Sequence, residues 1–150
     1  MKAVQQKWFV IVAMAFMLCL TGLIMTGEAQ ADRCLDNGDG TVTDNLRNRM
    51  WQQESAGPMN WKDAMSYASG LTLGGHSGWR LPDSNELRQL YESSCRDLMD
   101  IWRDPPYFWA YPADFSNPDY AWYVSYEWGF WEVRSSIFNR YYVRGVRSTQ

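Results

Sequence analysis

The chain has 150 residues with 14 basic and 17 acidic side chains, a net charge of −3, and 16% aromatic residues. A length of this order supports one hydrophobic core and leaves no room for two independent ones. The acidic balance argues against nucleic acid as a partner, because phosphate backbones are held by basic faces.

Residues 1–31 read as a secretory signal. MKAVQQK is a short basic start, WFVIVAMAFMLCLTGLIMTG an apolar run, and EAQAD holds an Ala-x-Ala site that ends at Ala31. The run is long enough to cross a bilayer, so an uncleaved anchor is the alternative. Leu18 is too large for the small residue that precedes a lipidated cysteine, and Cys19 therefore reads as apolar filler. Cleavage would leave residues 32–150 as one domain, with net charge about −4, in the periplasm or at the cell surface. No later stretch is apolar for long enough to enter a membrane.

Cys34 and Cys95 remain after cleavage, in a compartment that oxidises thiols, and are expected to pair. Closing a loop of about 60 residues stabilises a domain by roughly 4 kcal/mol in the chain-entropy account. A zinc site would need more soft ligands than these two cysteines and His76 supply.

From Cys34 to Gln53, short β-prone pieces at Thr41–Thr43 and Arg49–Trp51 alternate with Asn-Gly, Asp-Gly and Asp-Asn turn signals, which predicts a β-meander. Gly57 and Pro58 read as a loop. Asn60 then caps a helix whose apolar positions Trp61, Ala64, Met65 and Ala68 share one face, and Gly70 ends it. Asp83 and Glu86 form a capping-box pattern ahead of Leu87, Leu90 and Tyr91, which predicts a second helix. The prolines between Cys95 and Pro118 predict a long ordered loop. The last third predicts a hairpin turning at Trp128 and Gly129, then a terminal strand from Tyr141 to Val146. Strands flanking two helices make an α+β fold with antiparallel sheet.

The order DNGDGTVTDN, MWQ, W-x-x-A-x-x-Y, LTLGGHSGWRLP, N-E-L-x-x-L, YAWYVSYEWG and YYVRGVR, from about Asp36 to Arg147, resembles the Lcl (Legionella collagen-like) C-terminal domain family. The resemblance implies a C-type-lectin-like arrangement, two helices on antiparallel sheet with a long irregular loop region, in exported bacterial proteins mostly without known function. It also implies two departures. Many relatives carry cysteines where this chain has Ala68 and Gly145, so the Cys34–Cys95 pair would act in place of that staple. Relatives often have an aspartate where this chain has Gly78.

The aromatic residues carry the clearest functional signal, because sugars present C–H faces that stack on such rings. Trp122, Tyr123, Trp128 and Trp131 are the candidate glycan-binding residues; β alternation separates Tyr123 from Trp122, Val124 and Tyr126, so at most half of that strand is exposed. The competing reading is core packing, which also uses aromatics. Arg134, Arg140, Arg144 and Arg147 form a candidate anion-binding set, since guanidinium forks suit sulfate, phosphate and carboxylate. Adhesin-like relatives are associated with glycosaminoglycan-type polymers, which would use such a set.

Asp36-Asn37-Gly38-Asp39-Gly40 looks like a calcium loop but lacks a ligand at Gly38 and a distal bidentate glutamate, and it reads as a turn. Asn117-Pro118-Asp119 lacks the partner motif of calcium-dependent lectins. No nucleophile motif surrounds His76, and Trp79-Arg80-Leu81-Pro82 reads as architecture. The expectation is a non-enzymatic binding module without metal or cofactor, for a glycan or polyanionic surface polymer. The alternative is a structural or protein-interaction domain of the envelope.

Overall fold

In the computed structural model, which describes residues 33–150, turn chemistry builds the first sheet. The leader and the cleavage site expected at Ala31 lie outside the described residues. Strand β1 (Cys34–Asp36) folds back on β2 (Thr41–Asp44) through a turn held by its own carboxylates. The Asp36 carboxylate accepts the Gly38 N–H at 2.9 Å, and Asp39 accepts both the Thr41 N–H and its hydroxyl. Gly38 and Gly40 supply the left-handed backbone this turn needs. Strand β3 (Arg49–Gln52) pairs with β2, and the sheet order is β1-β2-β3-β9, with β9 at Val146–Ser148.

The second sheet has five strands in the order β4-β8-β5-β6-β7: β4 (Ala56–Met59), β5 (Tyr107–Ala113), β6 (Tyr120–Ser125), β7 (Trp131–Ser136) and β8 (Tyr141–Val143). All pairs are antiparallel except β5 with β8, which run parallel at Phe108 and Tyr142. Helix α1 (Trp61–Gly70) starts at Asn60, whose side chain accepts the Asp63 N–H at 3.0 Å. Helix α2 (Ser84–Tyr91) starts at a complete capping box formed by Asp83 and Glu86. The α+β architecture follows, and among the described residues no helix is long and apolar enough to cross a membrane.

Side-chain alternation on the five-stranded sheet feeds two cores. On one face Trp109, Ala121 and Val143 pack with Ala64 and Ala68 of α1 and with Leu81 and Ile137. On the other, Phe108, Ala110, Val124 and Tyr126 meet Leu87 and Leu90 of α2 and Val42, Trp51 and Val146 of the four-stranded sheet. The Tyr126 hydroxyl donates to the Leu87 carbonyl at 3.1 Å, fixing the end of β6 to α2. Cys34 and Cys95 are bonded to each other, with Cα atoms 5.1 Å apart, and pin β1 to the 3₁₀ turn Ser94–Leu98.

Three local expectations are corrected. The Cys95–Pro118 segment is not a loop throughout: it holds the 3₁₀ turn and β5, an interior strand of the larger sheet. Pro112 is accommodated because the β5–β6 register shifts between Trp109 and Ala113. Gly57 and Pro58 lie within β4, which tolerates them because it is an edge strand with an irregular register. The expected terminal strand is two strands, β8 and β9, that belong to different sheets.

The Trp79–Pro82 segment is architectural. The Trp79 indole donates to the His76 carbonyl at 2.9 Å, and the Arg80 backbone exchanges two hydrogen bonds with Val146. The Arg80 guanidinium holds both Glu86 oxygens at 2.7 Å, while Arg49 approaches the same carboxylate at 3.2 Å. Burial alone would raise the Glu86 pKa. The Arg80 fork, the Asp83 N–H and the charges of Arg80 and Arg49 outweigh it and hold the carboxyl below its ordinary value.

A carboxyl with a depressed folded pKa contributes stability that is present above the unfolded value, about pH 4, and is lost as pH falls through the folded value. Urea unfolding followed between about pH 6 and pH 2.5 should therefore show stability falling below about pH 4. Glu86→Gln should flatten that fall.

Candidate functional site

The β6–β7 hairpin and the adjoining part of β5 place the candidate aromatic residues. Ser125 of β6 lies between Tyr107 on β5 and Trp131 on β7, and Tyr123 lies between Trp109 and Val133. Directly opposed residues share a face, so Tyr107, Tyr123, Ser125, Trp131 and Val133 all belong to the α1 side of the sheet. Tyr107 and Trp131 are two strands apart, about 10 Å between backbones, with the small Ser125 side chain between them. That spacing makes a notch with aromatic walls.

Tyr141 of β8 extends the same face, its ring centroid 4.3 Å from Tyr123 and 5.7 Å from Tyr107. Polar groups edge the rings. The Tyr107 hydroxyl donates to the Glu127 carboxylate at 2.6 Å, and this hydrogen bond pushes the phenol up to about 12, keeping it a donor through the physiological range. The Tyr141 and Ser135 hydroxyls are 3.0 Å apart, and the Asn139 amide donates to Ser135 at 2.7 Å. Tyr107, Tyr123 and Tyr141 are half-buried.

The four candidate glycan-binding residues are thereby divided. Trp128, at the hairpin tip, is 84% exposed and Trp131 is 61% exposed. Tyr123 is partly covered, sharing its surroundings with Trp109, Tyr107 and Tyr141. Trp122 points to the opposite face and packs, half-buried, against the core beneath α2. It does not belong with the other three.

The four arginines do not come together. Arg144 is 1% exposed and lies in the interior, where its guanidinium donates to the Gln52 and Gln53 carbonyls and to the Asp100 carboxylate. It is a structural residue and is corrected as an anion-binding candidate, because its guanidinium is buried and bonded to three acceptors of the protein itself. Arg134 pairs with Asp114 at 2.6 Å and lies over the Tyr120 ring at 4.3 Å, on β7. Arg140 donates to the Pro58 carbonyl of β4, and Arg147 to the Ser77 carbonyl from the other sheet. These are three separate places on the fold.

Sequence reasoning missed Tyr107, Tyr141, Ser125 and Glu127 as members of the aromatic site. The run Tyr107-Phe108-Trp109-Ala110-Tyr111 is itself a strand signal, hidden by the flanking prolines. It also missed an open cleft of about 490 Å³ lined by Asp36, Gln53, Glu54, Asp97, Leu98, Met99 and Asp100. Three of its acids are already engaged: Asp36 by the Gly38 N–H and Gln53, Asp97 by Arg96, and Asp100 by Arg144, Arg103 and Ser55. Among the described residues no three His, Cys, Asp or Glu side chains gather to hold a metal ion.

Two measurements, urea denaturation and acrylamide quenching, test this arrangement. Replacing Arg144 with Met leaves Asp100 and two carbonyls without their donor and should cost about 3 kcal/mol in urea denaturation. Alanine at Arg134 or Arg140, both exposed, should cost less than about 1 kcal/mol. Acrylamide should quench Trp102, Trp128 and Trp131, all exposed, while Trp51, Trp79 and Trp109 stay protected, giving a two-population quenching plot. Trp128→Ala and Trp131→Ala should each reduce the accessible fraction.

The family model of the Lcl C-terminal domain matches residues 40–147. No curated protein and no solved structure matches the chain. The matched span runs from the β1–β2 turn to β9, and so takes in both helices, the aromatic hairpin and the buried Arg144. The chain belongs to the Lcl C-terminal domain family.

Proposed function

We propose that this domain is a non-enzymatic, extracytoplasmic glycan-binding module of C-type-lectin-like form, and that its ligand is a neutral glycan seated on the aromatic notch. The observation that carries the reading is the exposure of Trp128 and Trp131 beside the half-buried Tyr107, Tyr123 and Tyr141. Large apolar rings left in solvent beside polar hydroxyls suit a ligand that has both C–H faces and hydroxyl groups. The Glu127 carboxylate and the Tyr107, Tyr141 and Ser135 hydroxyls supply donors and acceptors at the edge of those rings.

Charge favours a neutral over a polyanionic polymer. The charged group at the notch is the Glu127 carboxylate, and the guanidinium groups that would attract sulfate lie apart and are engaged elsewhere. The disulfide between Cys34 and Cys95 supports an oxidising compartment, the periplasm or the cell surface.

A glycan array probed with purified protein at low and moderate salt tests the proposal. Binding to neutral glycans should persist at moderate salt, because stacking is not screened as ion pairing is. Trp131→Ala should weaken it about tenfold with an unchanged unfolding midpoint. Absence of binding above background at both salts removes the proposal. Binding confined to sulfated polymers, lost with salt and unaffected by Trp131→Ala, replaces it with the polyanion reading.

A further inference from the structure

Strand β7 is the outer strand of the five-stranded sheet, and its first four residues, Trp131 to Arg134, are all exposed. An exposed edge of this length offers a row of backbone N–H and C=O groups to another strand. Most edges are guarded by charges that any approaching strand must desolvate. Here the two charges have opposite sign and are two residues apart, Glu132 and Arg134, both on the face away from the notch.

That spacing selects a partner. We propose that β7 pairs antiparallel with β7 of a second copy of this chain, with the two-fold axis passing between the two Val133 residues. A two-fold axis perpendicular to the sheet keeps each side chain on its own face, so only registers that oppose residues of like parity are open. Centring on Val133 sets Glu132 of each copy opposite Arg134 of the other, forming two opposite-charge pairs. Centring one residue earlier opposes Glu132 with Glu132, and one residue later opposes Arg134 with Arg134, both unfavourable. One register is therefore favoured by charge and its two neighbours are disfavoured.

The rest of the strand suits this register. Trp131 of one copy lies opposite the small Ser135 of the other, so the two indoles do not collide. The Arg134 side chain is about 42% exposed while paired with Asp114, so its free edge remains open to a second carboxylate. The join continues the sheet into ten strands and leaves both notches on one face. Glycan binding is not needed for it.

Sedimentation equilibrium of the full chain, from about 1 µM to about 500 µM, spans the range expected of a small interface. The average mass should climb toward that of a dimer. Glu132→Arg turns both cross-copy pairs with Arg134 into like-charge pairs and should weaken association at least about tenfold. The double exchange Glu132→Arg with Arg134→Glu restores the opposite-charge pairing but loses the contact of Arg134 with Asp114, and should recover part of the association. Val133→Cys, oxidised at the concentration where the dimer forms, should yield a dimer cross-linked at position 133 by peptide mapping. Phe138→Cys, exposed but off the edge, should not. A wild-type mass that stays monomeric at the highest concentration overturns the proposal. So does association that Glu132→Arg leaves unchanged, or cross-linking equal at positions 133 and 138.

Discussion

Where the chain passes from one sheet of this domain to the other, one charged side chain is buried. Arg144 follows β8 in the five-stranded sheet, and two residues later the chain enters β9 in the four-stranded sheet. Its guanidinium fills the junction, bonding to the carbonyls that end β3 and to Asp100, which in turn accepts the Ser55 N–H and hydroxyl. A buried guanidinium cannot shed its proton, so the only acceptable arrangement surrounds it with acceptors. Burial would raise the Asp100 pKa, but the Arg144 charge and hydrogen bond, with the Ser55 donors, hold it below its ordinary value. One cation thus fixes the relative position of β3, the segment after the 3₁₀ turn, and the strand switch.

Gly145 completes that junction. Its N–H donates to the Gln52 side chain at 2.9 Å, and a Cβ there would come within 3.0 Å of Leu71 and 3.3 Å of Trp79. The close approach lets the end of α1, the Trp79 loop and the strand switch pack together without a covalent link at that point. The Cys34–Cys95 bond acts elsewhere, tying β1, which precedes the matched family span, to the 3₁₀ turn within it. Packing holds one side of the domain and a disulfide the other.

With the sheet positioned, the aromatic residues separate according to which face and how far from the helices they lie. Trp109 and Phe108 are adjacent in sequence and buried in different cores, one against α1 and one against α2. Farther along the same strands the cover stops, and Tyr107, Tyr123 and Trp131 emerge on the α1 side. The aromatic notch is the uncovered remainder of a surface whose other end is core. Among the described residues β7 has no strand on its outer side, so the exposed rings of Trp131 stand at the margin of the sheet.

The sequence by itself determined what local chemistry governs. Asn60 and the Asp83–Glu86 box set the helix starts, the Asp-Gly turns set β1 to β3, and the Trp128–Gly129 turn set the β6–β7 hairpin. These features are legible because the residues that satisfy the exposed backbone groups lie within a few positions of them. The ordered motifs from the Asp36 turn to Arg147 carried the family for the same reason. Tertiary structure alone decided the rest. Arginine reads as a surface residue until a long-range partner appears, and the acceptors of Arg144 are more than 40 positions away. Pro58 and Pro112 read as strand breakers, yet an edge and a register shift accommodate them. Whether a tryptophan is core or surface depends on what covers its face of the sheet, and that cover comes from helices distant in the chain.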